Sequence, residues 1–211
     1  MNIAEIVDYL LLSWAGKLAP AEPPPPRARV RDAGDGVVRI RGQVRSRGRL
    51  LRAPVSDRPC VAFHLIVYER HATRSQARQY EVLLDTQKAA PFSVADESGE
   101  AAVDVGAPID LDLESQRQAV TQRRNAEVDT LILLLKGRGI STEGALGVSR
   151  LISYEEGILA ENDNVLITGI GLHEVSVDAE PSGPRQPPQR LILRGTRATP
   201  LLVSNTPAAL R

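Results

Sequence analysis

Aromatic residues make up only 3% of this 211-residue chain: four Tyr, two Phe and one Trp. Proteins that hold single-stranded nucleic acid stack bases on aromatic side chains, and so thin a supply argues against that use. Cysteine is scarcer still. Cys60 stands alone, which excludes an intramolecular disulfide and any RING-type zinc cluster, and suits a reducing compartment. Preceded by Pro59 and followed by Val61, it reads as a small packing residue rather than a nucleophile. Histidine occurs at 64, 71 and 173, with no pair at metal-ligand spacing on a helix. Formal net charge is zero, so no global field draws the chain to nucleic acid or acidic lipid. No apolar run approaches the roughly 18–20 residues that cross a bilayer, and the first residues lack the positive segment of a secretory signal. The expectation is a cytoplasmic protein, soluble or membrane-peripheral.

Lysine is also rare, at 17, 88 and 136 only, so arginine carries nearly all the positive charge. Nine arginines (27, 29, 31, 39, 41, 45, 47, 49 and 52) fall within residues 27–52, against Asp32 and Asp35. On an alternating strand such residues form a solvated face; the competing reading is a basic patch.

What is present begins with an amphipathic helix. Ile3, Ile6, Val7, Leu10, Leu11, Trp14 and Leu18 recur at helical spacing, with Glu5 and Asp8 early and Lys17 late, as the helix dipole favours. Pro20 ends the pattern, and the prolines at 23–26 make a stiff spacer. The organisation read from this is a helix over 1–19, a Pro-rich linker over 20–29, a β domain over 30–205 and a tail over 206–211. The apolar stripe must be buried against its own domain, a partner protein or a membrane interface. Its polar face has little Lys or Arg, which counts against anionic lipid.

From about residue 30 short apolar runs alternate with turn residues, the signature of strands. Strands are expected over 37–44, 61–71, 79–85, 190–194 and 200–204. The odd-numbered Val61, Phe63, Leu65 and Val67 should face the core. An Asp-Glu-Ser-Gly turn at 96–99 joins two alternating strands into a hairpin. Residues 125–136 form the one clear internal helix, with Asn125 as its cap. The polar stretch 110–122 reads either as an exposed helix or as a strand near Val120. The carboxylates Asp96, Glu97, Glu100, Glu155 and Glu156 read as surface groups. No catalytic, cofactor-binding or metal-binding residue stands out, and the glycine-rich pieces lack phosphate-loop patterns.

Four blocks in order carry a resemblance. They are Leu51-Arg-Ala-Pro-Val-Ser-Asp-Arg-Pro-Cys60-Val61, the hairpin Pro91-Phe-Ser-Val-Ala-Asp96-Glu-Ser-Gly99-Glu-Ala-Ala-Val103, Leu159-Ala-Glu-Asn162-Asp163-Asn-Val165-Leu-Ile167-Thr-Gly169, and Pro200-Leu-Leu-Val-Ser204. Together they resemble the GIDE-type, or beside-a-membrane (BAM), domain of bacterial proteins and of mitochondrial membrane-anchored E3 ubiquitin ligases. Asn162 occupies the usual glycine, a mild change because Asn tolerates a left-handed turn. The resemblance implies a mainly β fold, a highly curved antiparallel OB-like barrel of six or seven strands with one internal helix. It also implies a non-catalytic interaction or sensing module that binds a protein partner or small ligand. Candidate contact residues are Ile6, Leu10 and Trp14 on the helix stripe and Arg45, Arg47, Arg49 and Arg52 at the 45–57 loop. A membrane surface reached through residues 1–18 and a homo-oligomer are further partners to weigh. A single-strand nucleic-acid binder and an enzyme of unrecognised type are the alternative functions.

Overall fold

Alternation sets the first long strand: Val38, Ile40 and Val44 are buried while Arg39, Arg41, Gln43 and Arg45 point outward. The structure, a computed structural model, describes residues 25–71, 79–120, 125–143, 150–175 and 189–211. The helix expected over 1–19, with Ile6, Leu10 and Trp14, lies outside the described residues, as does the loop 181–188.

The described residues begin with β1 (Arg27–Ala28), a 3₁₀ turn (Val30–Asp32), β2 (Gly36–Ser46), β3 (Leu51–Arg52) and β4 (Pro59–Cys60). Next come β5 (Ala62–His71), β6 (Gln79–Ala89), β7 (Phe92–Asp96), β8 (Gly99–Val103), β9 (Ile109–Asp112) and β10 (Arg117–Ala119). Helix α1 (Ala126–Gly137) precedes β11 (Ile152–Leu159), β12 (Asn164–Val175), β13 (Gln189–Arg194), β14 (Leu201–Ser204) and a short α2 (Pro207–Leu210). The polar stretch 110–122 thus holds strands at both ends of its described part. Residues 206–211, read as a tail, carry α2, capped by the Thr206 side chain on Ala209 N. Strand β1 lies within the stretch read as linker and already pairs with β2.

Five strands close into a barrel, in the order β2, β7, β8, β13, β12 and back to β2. Every joint is antiparallel except β8 with β13, which is parallel. In chain order the ring runs first, second, third, fifth, fourth, the Greek-key layout of the OB-like barrel the sequence led us to expect. The six or seven strands expected divide differently: five close the ring, and β14 and β9 extend it from β12. Strand β12 is the spine. One edge pairs with β2 along 164–171, while the other takes β14 along 166–168 and β13 along 170–175. The barrel interior is filled by fully buried Ile40, Val44, Phe92, Val94, Ile167, Leu193, Leu201 and Val203.

A second sheet, β10-β11-β5-β6, is built from two excursions out of the ring. One leaves between β2 and β7, the other between β8 and β12. Helix α1 covers one face of this sheet, burying Leu131 and Leu135 against Leu65, Val67, Ile152 and Tyr154. Of the odd-numbered residues expected inside, Val61, Leu65 and Val67 are fully buried, whereas Phe63 is only half-buried, like His64, Ile66 and Tyr68 on the other face. Asn125 caps α1 by accepting from Val128 N at 2.8 Å, and Gly139 follows its end at φ +73. Val61, Ala62 and Leu159 belong to the barrel cluster and stitch the layer to the ring.

Candidate functional site

The outward face of β2 forms the floor of a groove of about 700 Å³, within the range of small-ligand and peptide sites. Arg41, Gly42, Gln43 and Arg45 contribute from β2, Arg27, Ala28 and Arg29 from β1 and its end, Ala95, Asp96 and Glu97 from β7 and its turn, and Asn164 from β12. The reason lies in the pairing. Both β1 and β7 pair with β2 on the edge opposite β12, β1 at Arg39 and Ile40 and β7 from Gln43 onward. Arg41 and Gly42 fall in the break between them. At that break a Cβ on Gly42 would collide with the carbonyl of Ala95, so only glycine lets β7 approach.

The groove is rich in uncompensated cations. Arg29 is bound by Asp32 at 2.8 Å, but both side chains are largely exposed. Arg27 donates to the main-chain oxygens of Ala209 (3.0 Å) and Arg211 (3.2 Å), which fix its guanidinium against α2. Arg45 donates to the amide oxygens of Asn162 and Gln43, which are neutral acceptors. Arg41 has no hydrogen-bond or ion-pair partner among the described residues. Of the two acids present, Asp96 is committed to structure. Its carboxylate accepts from Val30 N, Ser98 N, Ser98 Oγ and Gly99 N at 2.6–3.1 Å. Partial burial alone would raise its pKa, but these hydrogen bonds outweigh it and hold the group below the usual carboxylate value. No aromatic or histidine side chain lines the groove.

The other arginines expected at the site scatter. Arg52 folds onto its own turn, donating to the Asp57 carbonyl at 2.8 Å, and Arg47 lies 4.0 Å from Glu100. Arg49 is exposed on the loop between β2 and β3. Only Arg45 of the four lines the groove. Arg27, Arg29 and Arg41 belong to the arginine cluster noted in the sequence but not to the candidate contact residues, and Gln43 and Asn164 were not singled out. The period-two run Arg39, Arg41, Gln43, Arg45 was the available signal, because it puts four polar side chains on one strand face.

Of the carboxylates read as surface groups, Glu97 and Glu100 are exposed as expected, while Asp96, Glu155 and Glu156 are half-buried; all but Glu97 hold the fold together. Glu156 accepts from Val55 N (2.7 Å) and Ser56 N (3.0 Å), pinning the 53–57 turn. Glu100 accepts from the buried Ser93 hydroxyl at 2.5 Å. Glu155 accepts from Arg117 Nε at 2.7 Å. The Arg117 guanidinium also lies 4.3 Å from the ring centre of Tyr68 and 4.7 Å from that of Tyr80, covering both.

Groups capable of proton transfer are held in structural pairs. His64 bridges Asp85 (2.8 Å) and the Leu111 carbonyl (3.2 Å), joining β5 to β9. His173 lies 2.9 Å from Asp35, and that contact lowers the Asp35 pKa. Cys60 is fully buried, and burial pushes its thiol up to about 11, far from the thiolate a nucleophile needs. Among the described residues no group of three or more His, Cys, Asp or Glu converges as metal ligands. No described helix is long and apolar enough to cross a membrane.

The fold defines a closed five-stranded barrel carrying a helix-backed sheet, with a basic groove on one barrel strand. No family model, curated protein or solved structure matches the chain.

Proposed function

We propose that this chain is a GIDE-type barrel acting as a non-catalytic interaction module, with the groove over β2 as its contact surface for a protein partner. The carrying observation is that Arg41 and Arg45 line one groove without a carboxylate partner among the described residues. Charges left unmatched on a defined concave surface steer and orient a partner of opposite sign. The GIDE part of the reading is supported by the 92–103 hairpin and by Asn162 at φ +71 in the turn before β12, where the family has glycine. That turn is bound to the barrel: Asn162 N donates to Val44 O and Val44 N to Asp163 O, both at 2.9 Å.

A single-strand nucleic-acid binder would need stacking platforms in the groove, and its lining contains none. The test is a photo-crosslinking residue placed at Gln43, with a second placed at Leu133, an exposed leucine on α1, as control. In cells that naturally contain the chain, Gln43 is expected to give a discrete protein adduct that disappears in an R41A/R45A background. Adducts at Leu133 alone, or a Gln43 adduct indifferent to the arginines, would overturn the reading.

A further inference from the structure

We infer that the groove receives an extended, acidic segment of the partner, with its carboxylates on Arg41 and Arg45. This rests on the interaction-module reading and names the chemistry of that same surface. Four arginines, 27, 29, 41 and 45, line it against Asp96 and Glu97, and Asp96 already accepts four hydrogen bonds from its own hairpin and from Val30. Guanidinium forks match carboxylates bidentately, so two of them on one strand face, four residues apart in sequence, suit acidic side chains spaced along an extended chain.

The neutral lining points the same way. Gln43 and Asn164 are cross-strand partners, so their amides project from the barrel side by side. Each carries both donors and an acceptor, which answers a peptide backbone rather than a string of phosphates. Glu97 has no hydrogen-bond or ion-pair partner among the described residues and stands at the β7 end of the groove. A continuous polyanion would be repelled there, whereas a peptide can turn an amide N–H or a basic side chain toward it. The groove therefore has polarity: acidic residues over Arg41 and Arg45, a donor toward Glu97.

The experiment is fluorescence anisotropy at low salt with the full chain and three labelled probes: a peptide alternating Glu and Ala, its Gln counterpart, and an oligo-dT strand. The Glu peptide is expected to bind and the Gln peptide not. R41A and R45A should each weaken binding about tenfold or more, the size of a lost charge-assisted hydrogen bond. R138A, at the exposed end of α1, should leave it unchanged. Thermal melts of each variant separate lost binding from lost fold. Equal binding of the Gln peptide, or wild-type affinity in R41A and R45A, would overturn the inference. So would oligo-dT binding that depends on Arg41 where the Glu peptide fails, since it would assign the groove to nucleic acid. If the Gln43 adduct forms and needs the arginines while the Glu peptide does not bind, the module reading stands and the acidic segment falls.

Discussion

Asp96 shows how much one side chain fixes. Its two oxygens hold the turn between β7 and β8 and reach back to Val30 N, so the hairpin and the 3₁₀ turn before β2 are joined at one carboxylate. Replacing it with Ala is expected to cost about 1–3 kcal/mol in urea unfolding, the range for hydrogen bonds to a charged group. The sign with pH follows from its lowered pKa. Its contribution is complete above the unfolded value of about 4 and is lost as pH falls through the lower folded value. Asp96→Asn should therefore flatten the stability curve below about pH 4, measured by urea titration across that range. Gly42 acts through absence instead. A methyl there meets the Ala95 carbonyl, and because the obstacle is backbone it cannot swing aside. Gly42→Ala is expected to destabilise by about 1–3 kcal/mol, as overpacking does, and denaturation midpoints check it.

Among the elements, α1 is the one whose removal would strip a whole sheet face. Leu131 and Leu135 are fully buried on it and pack with Leu65, Val67, Ile152 and Tyr154. Leu131→Ala should cost about 2–5 kcal/mol by leaving a cavity in a small cluster, read from unfolding in denaturant. Tyr154 ties three elements together, since its hydroxyl lies 2.7 Å from Gln118 on β10 and 3.2 Å from Glu127 on α1. Burial, with Glu127 adding to it, pushes its pKa to about 12. These two carriers of the layer differ in how they showed in the sequence. The helix was plain, because an unbroken apolar run follows an Asn cap. The pairing of β10 with β11 was not, because Arg117, Gln118 and Ala119 are all exposed and give no periodic signal.

At the scale of the molecule, the sequence carried the strands and turns but not the closure. The hairpin at 92–103, the left-handed Asn162 and the inward Leu65 and Val67 of β5 are local features and could be read locally. Ring closure depends on β12 meeting β2, β13 and β14 at once, and such long-range pairings leave no mark in local periodicity. The groove was half legible for the same reason. Arg45 lay in the recognised arginine run, whereas Asn164 and Glu97 reach it only through tertiary pairing. Residues 1–18 bear on placement. Flotation of the full chain on liposomes, beside a chain starting at Arg27, is expected to leave both in the dense fraction, because residues 1–18 hold one Lys and no Arg; flotation of the full chain alone would place that segment at a membrane. The spine strand has one further consequence. Amides of β12 at 166–168 and 170–171 sit between neighbours on both sides, whereas β6 closes the edge of a separate sheet with its own apolar cluster. Solvent deuterium should accordingly enter in two waves, reaching β6 through a partial opening of the layer and β12 only when the whole chain comes apart.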